Sequence, residues 1–171
     1  MSVHRLKPLP TAMATCSLTV TSAVADRTLE LLRQARYDDG PHEAMVWWLG
    51  KPTSGGTLIL ACHQPATSHG RDFVFADEAA TGVASRLGRQ HRLGVLAQVH
   101  SHPGDDTRHS DGDDDVVLMP YEGMFSLVVS RYGSGSLLPE EGAGLHQFQD
   151  SRWVLVPPGS GTLRIATTEL K

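Results

Sequence analysis

Val99-His-Ser-His-Pro-Gly-Asp-Asp-Thr-Arg-His-Ser-Asp-Gly-Asp-Asp-Asp115 follows directly on the apolar run Leu93-Gly-Val-Leu-Ala-Gln-Val99. If that run is a strand, residues two apart leave the same face, so His100 and His102 present their imidazoles side by side. Seven residues separate His102 from Ser110 and two more separate Ser110 from Asp113, which can add an oxygen donor from the start of a new helix. On its own a His-x-His pair reads equally as two hydrogen-bonding strand-end histidines. With Asp113 the set becomes two nitrogens and one carboxylate, donors that zinc prefers, with a fourth position left for water. An open position points to chemistry rather than to structure. His109 lies in the same loop, is not needed by this pattern, and is expected to be solvated.

Outward from this stretch the chain alternates strands and helices. Upstream, Ser17–Thr21 is β-branched and strand-like, and Thr21 or Ser22 can cap a helix with Val24, Leu31, Leu32 and Ala35 at helical spacing. Glu43 stands at the mouth of an apolar strand running to Leu49 and Gly50, where a carboxylate is costly unless it has a partner or a task. Trp47 and Trp48 in this strand are expected in the core and on the sheet face. Lys51 to Gly56 reads as a hairpin connection, Thr57–Cys62 as its returning strand, and Gln64–Arg71 as a polar turn region. Phe73–Phe75 is extended, and Asp77 can cap a helix to about Gln90 with Ala80, Val83, Ala84 and Leu87 on one face.

Downstream, Ser110-x-x-Asp113 resembles a capping box opening a short helix that continues from Asp114 to Met119 and is stopped by Pro120. Phe125–Ser130 is a strong strand, Ser134 to Gly144 an interrupted loop, and Leu145–Phe148 with Trp153–Val156 a hairpin; Leu163–Ala166 is a weak last strand. The order predicts one α/β (α+β) domain over 16–171, a mixed, mostly antiparallel sheet flanked by helices, behind an irregular arm at 1–15.

Composition fits a soluble globular domain, with 40% apolar and 20% charged residues in 171, enough for a core of its own. Two cysteines, Cys16 and Cys62, give no disulfide framework. With no apolar stretch suited to a signal or a membrane span, a cytoplasmic protein is expected. Six aspartates and one arginine between Asp105 and Asp115 put −5 of the formal −4 charge in one loop, leaving about +1 for the remainder. Such a loop repels phosphates, which argues against nucleic acid as a partner.

His-Ser-His-Pro at 100–103, the spacing to Ser110 and Asp113, and the upstream Glu43 together resemble the JAMM metallopeptidases, the catalytic JAB/MPN domains with a cytidine-deaminase-like fold. The family's usual glycine partway along the Glu-bearing strand is absent here, with Val46 and Trp47 in that region, a departure of packing more than of chemistry. The resemblance implies zinc held by His100, His102 and Asp113, Glu43 as general base, Ser110 as a stabiliser of the oxyanion, and cleavage after the C-terminus of a ubiquitin-like protein. It also implies compact prokaryotic relatives acting beside a modifier and its activating and conjugating enzymes, including in antiphage defence operons. Asp105 and Asp106 could then receive a cationic substrate tail, although a solvated acidic loop is the simpler reading.

Three other readings compete. A peptidase trimming a sulfur-carrier precursor stays within the same chemistry. A non-catalytic MPN scaffold is disfavoured because every motif residue is present. A magnesium phosphohydrolase is disfavoured because His-x-His suits zinc better than magnesium, which takes oxygen donors.

Overall fold

A computed structural model describes residues 5–116 and 120–167; residues 117–119, expected to extend the helix after Asp114, lie outside them, as do the side chains of Asp115 and Val116. The elements in chain order are β1 (Leu18–Thr21), α1 (Ser22–Arg33), a ribbon of β2 (Arg36–Tyr37) and β3 (Gly40–Pro41), then β4 (Met45–Thr53) and β5 (Gly56–His63). A second ribbon follows, β6 (Ser68–His69) with β7 (Val74–Phe75), then α2 (Glu78–Gln90), β8 (Gly94–Ser101) and α3 (Asp111–Val116). The chain closes with β9 (Phe125–Val129), β10 (Gly144–Gln149), β11 (Arg152–Leu155) and β12 (Leu163–Ala166).

Eight strands form one sheet in the order β11-β10-β9-β8-β4-β5-β1-β12. Four of its seven pairings are antiparallel and three are parallel, so the expected mixed, mostly antiparallel sheet is what forms. The parallel pair β8–β9 matters most for function. Parallel neighbours cannot be joined by a tight turn and need a crossover, and here the crossover is the segment with the histidine and aspartate motif. It leaves β8 at the carboxyl end, where sheets of this kind present their ligand crevices.

The sheet has two differently loaded faces. Val46, Trp48, Ala97, Val99, Phe125, Leu127 and Leu145 pack beneath α1 with Val24, Leu31 and Leu32 in the main core. The indole of Trp48 donates to Thr28 Oγ1 at 2.8 Å, and that hydroxyl donates on to the Val24 carbonyl at 2.7 Å, so the one polar atom of the buried ring is satisfied. Met45 and Trp47 face the other way, onto Ala80 and Ala84 of α2. Side chains two apart share a face, so His100 falls on the α2 side with Met45, its partner in register.

Both expected helix caps are present: Thr21 Oγ1 accepts from Val24 N at 3.4 Å, and Asp77 Oδ1 accepts from Ala80 N at 2.8 Å. Three expectations are corrected. β4 begins two residues after Glu43 and runs on through Lys51, Pro52 and Thr53, which had read as turn; only Ser54 and Gly55 connect it to β5. Val83, expected on the apolar face of α2, is 37% exposed, and the buried row is Ala80, Ala84 and Gly88. The loop from Ser134 to Gly144 contains a 3-10 turn at Pro139–Glu141 and hands Gly144 to β10.

A Cβ on Gly144 would overlap the Thr107 carbonyl and press on the His146 ring at 3.1 Å. Gly144→Ala must therefore shift either β10 or the motif loop. It is expected to cost about 1–3 kcal/mol, the range for overpacking, read as a lowered denaturation midpoint with unchanged slope; a midpoint equal to wild type would show that Thr107 moves freely.

Candidate metal centre

The β8 register carries the two imidazoles to the sheet's end and the crossover folds Asp113 back onto them. His100 Nε2 and His102 Nε2 lie 3.2 Å apart, and Asp113 reaches each of them at 3.3 Å, through Oδ1 to His100 and Oδ2 to His102. A tetrahedral zinc with bonds of about 2.0–2.1 Å has donor–donor edges of about 3.3–3.4 Å. Each ring nitrogen thus has the other ring nitrogen and one Asp113 oxygen at close to such an edge length, the two contacts to Asp113 being made by different oxygens, and one ligand atom from each of the three residues lies within 4.8 Å of the others.

Their surroundings act on the two rings in opposite ways. His102 Nδ1 lies 2.9 Å from the Asp106 carbonyl, which accepts a hydrogen bond from Nδ1–H in the tautomer that leaves the lone pair on Nε2. The Gln98 carboxamide ends 3.5 Å from His100 Nδ1. Burial disfavours charge on His100 and pushes its pKa down although Asp113 opposes this, whereas on His102 the bond to Asp113 overrides burial and raises it. Burial would raise the Asp113 carboxyl, but the two imidazoles hold it well below the usual carboxylate range. A carboxylate kept in its ionised form beside two ring nitrogens is a donor set that could hold a metal ion.

Ser110 and Asp113 form the expected reciprocal cap. Ser110 N donates to Asp113 Oδ2 at 2.6 Å, Ser110 Oγ–H donates to the same oxygen at 2.8 Å, and Asp113 N donates to Ser110 Oγ at 3.1 Å. The turn thus fixes the Asp113 rotamer.

Glu43 arrives from the neighbouring strand. Ser101 N donates to the Ala44 carbonyl at 3.0 Å, and extending the Met45–His100 register by two residues sets Glu43 level with His102. Its backbone N–H donates to the Gly70 carbonyl at 2.8 Å, which fastens the Gln64–Arg71 segment beside it. The side chain is buried, at 5% exposure, and desolvation raises its pKa to about 8, with His102 opposing and Asp113 reinforcing. In the metal-free protein Glu43 binds a proton in the folded state that the unfolded chain releases above about 4.5. Its contribution to stability is therefore complete below that pH and is lost as pH rises toward about 8. Subtracting Glu43→Gln from wild type should isolate a fall approaching at most about 1.4 kcal/mol per pH unit across that window; parallel stability curves would show that Glu43 does not hold the extra proton.

His109 corrects the sequence reading: it is fully buried, not solvated. Its ring stacks on His146 with centroids 3.9 Å apart and lies 5.9 Å from His100. Nδ1 meets Asp114 Oδ1 at 3.0 Å and Nε2 meets Ser126 Oγ at 2.8 Å. Gln98, Ser126 and His146 are cross-strand partners on β8, β9 and β10, and all are buried. Polar residues at inward positions of otherwise apolar strands were the signal that would have found this row. Asp105 and Asp106 lie apart from it, each paired with an arginine: Asp105 with Arg131 at 2.6 Å, Asp106 with Arg108 Nε at 2.8 Å.

No helix among the described residues is long and apolar enough to cross a membrane. No curated protein matches the chain. Its fold is similar to the solution structure of a protein from Desulfitobacterium hafniense, with a TM-score of 0.63 and 16% identity over 88% of this chain and 95% of that one. A protein from Salinibacter ruber is similar at a TM-score of 0.53 and 18% identity, over 85% of this chain and 90% of that one. The model of the prokaryotic homologs of the JAB domain matches residues 25–137, a span that contains Glu43 and the whole donor set. The chain belongs to this family of prokaryotic JAB-domain homologues.

Proposed function

We propose that this protein is a zinc-dependent peptidase that hydrolyses the bond after the C-terminus of a ubiquitin-like modifier, as an isopeptide in a conjugate or as a peptide in a precursor. The observation that supports it is the cluster of His100, His102 and Asp113, with contacts of 3.2–3.3 Å, and a buried carboxyl, Glu43, level with His102. Zinc in such a site supplies Lewis acidity toward water and a carbonyl oxygen. The side chains do the proton work. Glu43 takes a proton from the attacking water, whose oxygen forms the new bond to the carbonyl carbon, and delivers it to the amine nitrogen as the C–N bond breaks. A cation held by its neighbours favours the ionised form of Glu43 needed for the first transfer. Ser110 serves the developing oxyanion once its hydroxyl turns away from Asp113. For Asp105 and Asp106 to receive a cationic tail, a substrate arginine must exchange with Arg131 and Arg108.

The partners in this reading are the modifier, its conjugates, and the activating and conjugating enzymes of the same pathway, a setting that suits a defence operon in the cytoplasm. The test is a panel of ubiquitin-fold proteins ending in Gly-Gly, joined to a reporter by a linear or an isopeptide bond, together with sulfur-carrier precursors and a phosphodiester. Cleavage of a modifier fusion with about one zinc per chain supports the proposal, and the preferred linkage separates deconjugation from processing. Zinc binding with no cleavage of any fusion would leave the metal centre and remove the substrate class. A folded chain that takes up no zinc would return the protein to a scaffold.

A further inference from the structure

Among the described residues, the helix that presents Asp113 makes few contacts that hold it to the sheet. α3 is six residues long, far below what is stable alone, and none of its described side chains belongs to a hydrophobic cluster. The Ser110–Asp113 cap is internal to the turn and does not tie it to the sheet. Besides the contacts of Asp113 with His100 and His102, the ties come from the arm and the sheet, and Asp114 is the residue that meets both. Its Oδ1 meets His109 Nδ1 at 3.0 Å, and His109 Nε2 meets Ser126 Oγ of β9 at 2.8 Å. Its Oδ2 accepts from Arg5 Nη2 at 2.6 Å, while Arg5 Nη1 donates to the Ser110 carbonyl at 3.3 Å and Leu6 N donates to Asp111 Oδ2 at 3.1 Å.

Arg5 is itself anchored through the arm. Ala12 N donates to the Leu155 carbonyl at 3.1 Å, Leu155 N donates to the Pro10 carbonyl at 2.9 Å, and Thr15 N donates to Gln147 Oε1 at 2.8 Å. The arm thus runs along the outer edge of β11 and ends with its guanidinium, 19% exposed, on the metal loop.

We propose that Arg5 is a positioning residue of the metal centre: through Asp114 it clamps α3 between the amino-terminal arm and the sheet, so that the adjacent Asp113 stays in line with His100 and His102. The inference rests on reading those three residues as the zinc donors. A functional constellation tolerates about 0.5 Å of error, and a side chain one residue from a ligand is well placed to set that error. The arm is then part of the site's supporting shell.

The experiment measures apparent zinc affinity of the full chain by chelator competition, and amide hydrogen exchange of α3 against β8 and β9, for wild type, Arg5→Ala, Arg5→Lys, Asp114→Asn and the Arg5→Ala/Asp114→Asn double variant. Arg27→Ala, removing an exposed arginine of α1 that pairs with Glu30, controls for loss of charge. Loss of an outer partner typically weakens metal binding about 10–100-fold, and that is the loss expected for Arg5→Ala and Asp114→Asn. Arg5→Lys should recover part of it, and the double variant should be no worse than the worse single one, because both remove the same clamp. Exchange should quicken in α3 alone. Unchanged zinc affinity in Arg5→Ala, or additive losses in the double variant, would overturn the proposal. Should wild type bind no zinc, the metal reading falls by itself and the clamp is judged by α3 exchange, where equal rates in wild type and Arg5→Ala remove it too. If Asp114→Asn does not fold, the Arg5 pair of variants and the control still decide.

Discussion

Glu43→Ala is expected to retain about one zinc per chain and to lose modifier cleavage by about 10²- to 10⁴-fold, the usual contribution of a positioned general base. The two outcomes separate because Glu43 is not one of the three donors; the grouped ligand atoms belong to His100, His102 and Asp113. Its place level with His102 and its burial suit it to proton transfer and to nothing structural that an alanine would break. No hydrogen bond of its side chain is among those found in the described residues, so truncation strands no partner. The loss should fall on kcat more than on KM, since the carboxyl acts on the water and the leaving amine rather than on the tail that binds. Measuring both constants with metal content counted on the same sample checks it. Cleavage within threefold of wild type would mean that another group moves the proton.

Asp113→Ala should abolish stoichiometric zinc and, with it, cleavage. The variant removes one of three donors, and its effect should exceed the about 10–100-fold that follows loss of an outer partner. It also removes the acceptor of Ser110 N and Oγ, so the capping turn loses both of its bonds to that side chain. A second consequence distinguishes a metal centre from a simple ion pair. Without Asp113 the upward push on the His102 pKa is lost, and two mutually facing buried imidazoles remain. The metal-free variant should then melt below metal-free wild type, by an amount in the about 3–5 kcal/mol range for a broken buried pair. Elemental analysis and urea titration in the presence of chelator read the two effects. Stoichiometric zinc in Asp113→Ala would place the metal elsewhere.

Much of the donor set was readable because it is local. His100 and His102 are two apart on a strand, and Ser110 and Asp113 lie one helical turn apart, so periodicity alone gives each pair its direction. Glu43 was readable only as a cost, a carboxylate opening a buried strand, and the family resemblance supplied the role proposed for it. The helix caps at Thr21 and Asp77 were equally local and equally legible. The end of β4 was not, because the Lys51-Pro-Thr53 turn signal was overridden by pairing with β5, which continues past the last partner on β8.

His109, Asp114 and Arg5 show where sequence reasoning stops. In the chain they read as a loop histidine, one aspartate among six and a charge on an irregular arm. In the fold they are a hydrogen-bonded row, buried at His109 and partly exposed at Asp114 and Arg5, that ends on the loop carrying Asp113. The main strands and helices, the shared face of the two histidines and the cap that aims Asp113 were legible locally, because they depend on residues within one turn or one pleat of each other, whereas the short strands β2, β3 and β6 were not. Tertiary contacts alone bring His100, His102 and Asp113 within 3.2–3.3 Å of one another, set the buried Glu43 level with His102 and carry the arm to α3. The placement of Glu43 depends on strand order and the reach of the arm on a contact across more than a hundred residues, which no local pattern encodes.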